Sequence, residues 1–413
     1  MPPLQLELLT SHFSSLSHRN YRLFLTGRFI SQLGTWIQNT SMMWALYEIT
    51  GSSFQLGLNG LFRAVPAIVL GLFAGTIADR FERRRIMLLT DATLFFMPLV
   101  LGVLAQLGKL EAWHIYAITL LSSLVDSFGT PARQALYPNL VPVDSLGNAI
   151  AINSTLHRVS TLIGPALAGI LVGQTGIAGA FYANSASYLG PVITVLMMKG
   201  VTSRGGLKRG RLMKGVKEGL SYIKSDPILW SVVLIEAFTS LFGVNQVFLT
   251  VFAKDVLQVG PSGLGFMFSF RAVGGLLGSM GIIYLSRARP QGTIQLTFSL
   301  MMALAFFGFG FARHFPLALF FLALLGLVDT VSGASRSILL QTRTEDQIRG
   351  RVNSIFQMMG RALTPLGHTQ AGILIPLLGA RGTVHASVLV ILVTTLAVSL
   401  RYPQLKRLTL ASQ

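Results

Sequence analysis

Long apolar stretches separated by short polar segments run from one end of this chain to the other. Twelve can be delimited: 21–47, 54–78, 85–107, 113–137, 146–173 and 177–198, then 227–253, 262–285, 293–311, 316–340, 352–378 and 383–400. A helix of about 20 apolar residues crosses a bilayer core. Inside lipid only helices and closed barrels satisfy every backbone group, and these stretches are far too long for barrel strands. The pattern predicts an all-α membrane protein with twelve transmembrane helices. Residues 1–19 lack an apolar core followed by a small-residue cleavage site, so no cleaved signal peptide is expected and the first span serves for insertion.

Charge is sparse and unevenly placed. Only 12% of the 413 residues are charged, against 52% hydrophobic; soluble domains carry about twice that charged fraction. The net charge of +18 does not mark a nucleic-acid binder, because Lys and Arg gather in the segments between apolar stretches. Arg19 and Arg22, Arg80 and Arg83–Arg85, the 204–224 cluster, Arg287, Arg289, Arg343, Arg349, Arg351, Lys406 and Arg407 fall on one side; Lys109, Lys254, Arg313 and Arg381 fall on the other. Cytoplasmic loops are the basic ones. A multi-pass plasma-membrane protein (of a bacterial inner membrane) with both termini in the cytoplasm is expected. The chain has no cysteine, hence no disulfide and no thiolate metal site.

Two repeats organise the chain. Leu124-Val125-Asp126 recurs as Leu327-Val328-Asp329, an offset of 203 residues. The same offset pairs Arg133 with Arg336, Gly147 with Gly350, Arg158 with Arg361, and Ala168–Leu171 with Ala371–Leu374. Phe62-Arg63-Ala64-Val65 recurs as Phe270-Arg271-Ala272-Val273, shifted by 208. A duplicated six-helix unit explains these matches, and parallel repeats are one transporter architecture. The expected domains are a six-helix bundle over 1–199, a cytoplasmic linker over 200–225 and a second six-helix bundle over 226–413. Leu212, Val216, Leu220 and Ile223 recur among lysines at helical spacing. They predict a basic amphipathic helix on the membrane surface at the end of the linker.

Between the second and third spans lies Gly75-Thr-Ile-Ala-Asp79-Arg80-Phe-Glu82-Arg83-Arg84-Arg85. Gly75 permits close helix approach. Asp79 can pair with a cation or face a helix N-terminus, and the arginines suit the headgroup layer. The segment resembles the G-x-x-x-D-R-x-G-R-R loop of the major facilitator superfamily, with Glu82 at the usual second glycine. The resemblance implies that Gly75, Asp79, Arg80 and Arg84 latch the outward-facing state. Further on, Asp126-Ser-Phe-Gly-Thr-Pro131-Ala132-Arg133-Gln134-Ala135-Leu136 leads through Pro138, Val141-Pro142 and Asn148-Ala149-Ile150 to Gly164-Pro165 and Gly169. This run is similar to the branch of the superfamily that includes enterobactin exporters and macrolide efflux proteins. Gly164-Pro165 with Gly169 and Gly173 resembles the fifth-helix antiporter motif, with Ser160 where glycine is usual; tight packing of small residues is the other reading.

Ionisable residues inside spans are functional candidates by default. Asp126 and Arg133 share a face of the fourth span, and Asp329 and Arg336 repeat that pair in the tenth. Gating networks and transport roles are both open for them. Glu236 lies mid-span in the seventh stretch without a repeat counterpart; it is either a proton carrier or a carboxyl held by hydrogen bonds. Asp126 and Glu236 are the candidates for proton coupling. Arg63 and Arg271, near mid-depth, either face an anionic substrate or pair with Asp126, Glu236 or a broken helix end. Arg28, Gln32 and Trp36 give the first span a polar-aromatic face suited to a cavity wall. His157, His368 and His385 form no metal pair, so no metal is expected.

No Gly-x-x-x-x-Gly-Lys-Ser/Thr loop is present, which argues against ATP-driven transport by this chain. No nucleophile elbow or metalloprotease motif argues for an enzyme, and no cofactor is implied. The reading is a secondary active transporter: a proton-coupled exporter of a small amphiphilic or anionic molecule of drug or siderophore type, working by alternating access. The first, fourth, seventh and tenth spans would line its cavity, as the resemblance implies. The alternatives are a lipid or lysophospholipid transporter and a non-transporting receptor or scaffold of the same fold. Its partners would be a small-molecule substrate, protons and the lipid bilayer, with no nucleic acid, and the chain would be a monomer.

Overall fold

The computed structural model describes residues 14–71, 81–200, 212–285 and 291–407. Among them every regular element is helical. Eight helices there are long and apolar enough to cross a membrane by length and composition. Lipid offers a backbone no partner, so each apolar stretch closes its hydrogen bonds within itself. In chain order the helices are α1 (Arg19–Thr50), α2 (Ser53–Gly71), α3 (Arg83–Gln106), α4 (Ala112–Leu136), α5 (Val143–Ser187), α6 (Leu189–Met197), α7 (Leu212–Ser225), α8 (Pro227–Phe242), α9 (Gln246–Val251), α10 (Gly260–Leu285), α11 (Gln291–Phe311), α12 (Phe315–Arg343), α13 (Asp346–Arg401) and α14 (Gln404–Arg407).

The longest helices are not straight rods. α5 turns at Gly176 (φ 73°) and α13 at Gly379 (φ 72°). A positive φ costs glycine nothing and costs other residues dearly. The two bends stand 203 residues apart, the register of the sequence repeat. The expected seventh span is interrupted as well. α8 ends at Phe242, and Asn245 caps α9 by accepting from the N–H groups of Val247 and Phe248. At the other end of α8, the Asp226 carboxylate accepts from Ile228 and Leu229, with Pro227 at the first helical position, where its missing N–H loses nothing.

Backbone contacts divide the chain into two compact units, Met1–Ala45 with Val65–Lys208 and Leu46–Ala64 with Arg209–Gln413. In the first, α3 packs against α4, α5 and α6. α1 fits in through small residues: a Cβ on Gly34 would lie 1.9 Å from the Ser187 hydroxyl, and one on Gly164 would lie 2.5 Å from Trp36. Gly164 of the expected antiporter motif therefore makes room for Trp36.

In the second unit, α10 and α11 pack on α12, and α8 and α11 pack on α13. The start of α2 joins this unit, where Ser53 Oγ donates to the Gly372 carbonyl (3.4 Å) and Thr369 Oγ1 to that of Gly57 (3.2 Å). The helix expected at the end of the linker is α7, in which Leu220 is exposed. Ile223 is fully buried in the core that α8 and α13 share. Glu218 meets Arg351, and the Tyr222 hydroxyl reaches the Arg343 carbonyl.

α10 and α12 approach each other closely. A Cβ on Gly326 would stand 1.9 Å from the Arg271 carbonyl oxygen, and one on Gly274 would stand 1.7 Å from that of Ala323. Backbone cannot move aside as a side-chain tip can, so Gly326→Ala should destabilise the protein by about 1–3 kcal/mol, the usual range for overpacking. Thermal unfolding in detergent would show it as a lowered midpoint; an unchanged midpoint would mean the two helices are free to separate.

Candidate functional site

In the first unit, α4 carries Asp126, Thr130 and Arg133 at spacings of four and three, which puts them on one helix face. Arg133 Nη2 donates to Asp126 Oδ1, and Thr130 Oγ1 donates to Asp126 Oδ2 (3.1 Å). The other guanidinium nitrogen, Arg133 Nη1, reaches across to α3 and donates to Asp91 Oδ1 at 3.0 Å. Gly129 clears the way: a Cβ there would lie 2.8 Å from Arg133 Nη1 and 3.0 Å from Thr90 Oγ1. The two aspartates differ in environment. The Asp91 side chain is 3% exposed and that of Asp126 is 53% exposed. Beside them is a cavity of about 10 Å³, lined in part by Phe24, Arg28, Ser31, Asp91, Arg133 and Thr194. Of the other residues expected on the cavity wall, Gln32 is buried in α1 and Trp36 packs on Gly164.

The second unit solves the same problem with different partners. Arg336, the repeat equivalent of Arg133, forms an ion pair with Glu236 of α8. Ser240 Oγ donates to Glu236 Oε1 (3.0 Å), and the Arg336 guanidinium lies over the Phe356 ring, 5.6 Å from its centroid. Glu236 is thus paired rather than a lone carboxyl. Asp329 does not repeat the Asp126–Arg133 pair among the described contacts; it takes Arg271 of α10 at 3.3 Å. Arg271 Nη1 also donates to the Val244 carbonyl (3.3 Å), at the break between α8 and α9. The broken helix end expected as a partner is therefore found at Arg271, and its carboxylate is Asp329 rather than Asp126 or Glu236. Arg63 lies exposed on α2.

Of the expected gating loop, Gly75, Asp79 and Arg80 lie outside the described residues. Arg84 donates to the Leu196 carbonyl at 3.1 Å, tying the start of α3 to the end of α6 within the first unit. Asp91 was not among the residues expected from sequence. Its signal was there, a carboxylate within a span. It stands only six residues after Arg85, close to a basic loop, and no sequence spacing reveals that it faces Arg133. The break at Gly243–Asn245 also had a local signal, since Gly and Asn inside an apolar run punctuate helices.

Long apolar helices from a duplicated unit, with arginine–carboxylate pairs inside them, define a multi-pass membrane transporter of the major facilitator type. Within that class the chain belongs to the family described as transmembrane secretion effectors, which it matches over residues 10–413. It is 24% identical to the multidrug efflux pump Tap of Mycolicibacterium fortuitum over 405 residues, covering 95% of this chain and 97% of that protein. It is 26% identical to the enterobactin exporter EntS of Escherichia coli O81 (strain ED1a) over 344 residues, covering 82% of this chain and 81% of the exporter. The fold matches a bacterial homologue of the human lysosomal transporter Spinster, in an inward-facing and unoccupied conformation. That match has a TM-score of 0.74 and 15% identity over 94% of this chain and 98% of the other. A bacterial homologue of the iron transporter ferroportin matches with a TM-score of 0.70 and 19% identity, over 93% and 98%. The family is one of transporters, not enzymes.

The Glu236–Arg336 pair is mostly enclosed, its side chains 12% and 11% exposed. Removing one member of such a pair strands the other's charge. Arg336→Ala should therefore lower stability by about 3–5 kcal/mol. Adding Glu236→Gln to it should recover part of that loss in a double-mutant cycle of thermal unfolding. Purely additive effects would show that the two side chains are not coupled.

Proposed function

We propose that this chain is a proton-coupled exporter of a small amphiphilic or anionic molecule, of the drug or siderophore type. It works by alternating access with twelve spans in two six-helix bundles. The observation that carries the export reading is its full-length relatedness to a multidrug efflux pump and, over most of its length, to an enterobactin exporter. Supporting the proton-coupled reading, both units hold carboxylates against arginines inside their helices. Such pairs can be opened by a proton or by a charged substrate, and only one of the two need be present at a time.

In this reading Glu236 and Asp126 are candidates for carrying the proton. Arg28, Gln32, Trp36, Arg63 and Arg271 face the substrate pathway. Gly75, Asp79, Arg80, Arg84, Arg133, Asp329 and Arg336 take part in gating. The transporter acts as a monomer in the bacterial plasma membrane with both termini in the cytoplasm, the side on which basic segments collect. The linker over 200–225 joins bundles over 1–199 and 226–413.

The test is proton movement in liposomes containing the purified chain, offered lipophilic cations, macrolides, catecholate siderophores and lysophospholipids in turn. One of the first three classes should change internal pH on addition. Glu236→Gln should reduce that response at least tenfold while the protein stays folded. A response to lysophospholipid alone would replace the drug or siderophore assignment with lipid transport. Substrate flux without any proton movement would rule out proton coupling.

A further inference from the structure

Asp91 is among the most enclosed charged residues described, only 2% exposed. Its two carboxylate oxygens are treated unequally. Oδ1 accepts from Arg133 at 3.0 Å, whereas Oδ2 is buried without a hydrogen-bond donor. A carboxylate oxygen in that position loses its hydration and gains nothing in return. A proton on it removes the charge and turns an unsatisfied acceptor into a donor.

The surroundings are suited to receive that donor. Asp91 lines the cavity beside α1 and α6 together with Ser31 and Thr194. Both hydroxyls already give their protons to backbone carbonyls: Ser31 Oγ to Arg28 (3.1 Å) and Thr194 Oγ1 to Pro191 (3.2 Å). What they still offer are lone pairs. At about 10 Å³ the cavity is close to the room one water needs to relay a hydrogen bond.

The charged and titratable groups around Asp91 are Arg28 from α1, Arg133 and Asp126 from α4 and, between α5 and α6, Tyr188. Two guanidinium groups face two carboxylates, so the cluster is neutral while both aspartates are ionised. Asp126 needs no proton to satisfy it: one oxygen holds Arg133, the other holds Thr130, and the side chain is half exposed.

We propose that Asp91 is the residue of the first unit that takes up and releases the coupling proton, with Asp126 staying ionised as the standing partner of Arg133. This rests on the proton-coupled reading above, and it moves the first unit's proton from Asp126 to Asp91. The step is a simple proton exchange. Asp91 carboxylate accepts a proton from water, becomes a neutral carboxyl and later returns the proton to water. With Asp91 neutral, Arg133 keeps its bonds to Asp126 and Thr130 on its own helix, and the charge that ties α3 to α4 is gone. Protonation is thereby converted into a loosening of one helix pair.

Infrared difference spectra of the full chain in lipid, between alkaline and mildly acidic buffer, test this without knowledge of the substrate. The wild type should show protonated-carboxyl absorption with one component that disappears in Asp91→Asn and persists in Asp126→Asn and Glu236→Gln. Each variant must first elute like the wild type. Should Asp91→Asn fail to fold, Gly129→Ala keeps Asp91 but crowds Arg133, and it should change the pH profile of that component; an unchanged profile would sink the proposal. Absorption that loses no component in Asp91→Asn but loses one in Asp126→Asn or Glu236→Gln would overturn the assignment and leave proton coupling intact. No titrating band in the wild type would overturn both.

Discussion

A guanidinium inside a membrane-spanning helix cannot be left without a partner. Desolvating a charge costs several kcal/mol even after the protein relaxes around it. Arg133 and Arg336 occupy equivalent positions of the 203-residue repeat, and each pairs with carboxylates from its neighbours. Arg133 holds Asp126 on its own helix and Asp91 on α3. Arg336 holds Glu236 on α8. Much of the remaining construction serves those pairings. Gly129 makes space for one guanidinium, and Gly326 lets α10 approach α12 so that Arg271 comes within reach of Asp329.

Much of the fold is legible in the sequence because a bilayer imposes a length and a polarity that composition must obey. The apolar stretches, the basic segments between them and the 203-residue register all follow from that constraint. The eight helices that are long and apolar enough to cross a membrane overlap ten of the twelve stretches read from sequence, all but 21–47 and 113–137. α1 and α4 carry more polar residues, and those residues belong to the charged cluster and its surroundings.

The site is less legible, for a physical reason. Spacing along one helix predicts partners on that helix, and the Asp126–Arg133 pair was foreseen in this way. It says nothing of which neighbour faces which, so Asp91 against Arg133 and Glu236 against Arg336 emerge only from packing. The symmetric expectation that Asp329 would mirror Asp126 misled, because α8 supplies a carboxylate where the first repeat has Leu33. The spacing of Leu212, Val216, Leu220 and Ile223 predicts a helix, and α7 is one. Periodicity reports that an apolar face exists and not whether lipid or protein covers it; here Ile223 turns inward to the protein.

The bends at Gly176 and Gly379 bear on how the two repeats are related. Both glycines adopt a left-handed backbone, and they occupy the same register of the two repeats. A side chain at either position would strain the turn, so independent arrival at two such bends is a demanding coincidence. The two bends keep the 203-residue register of the sequence repeat. The ion pairs tell the opposite story, since equivalent arginines now lean on carboxylates from non-equivalent helices. The bend in the backbone is what the two repeats share, and the carboxylates that answer their arginines are where they differ.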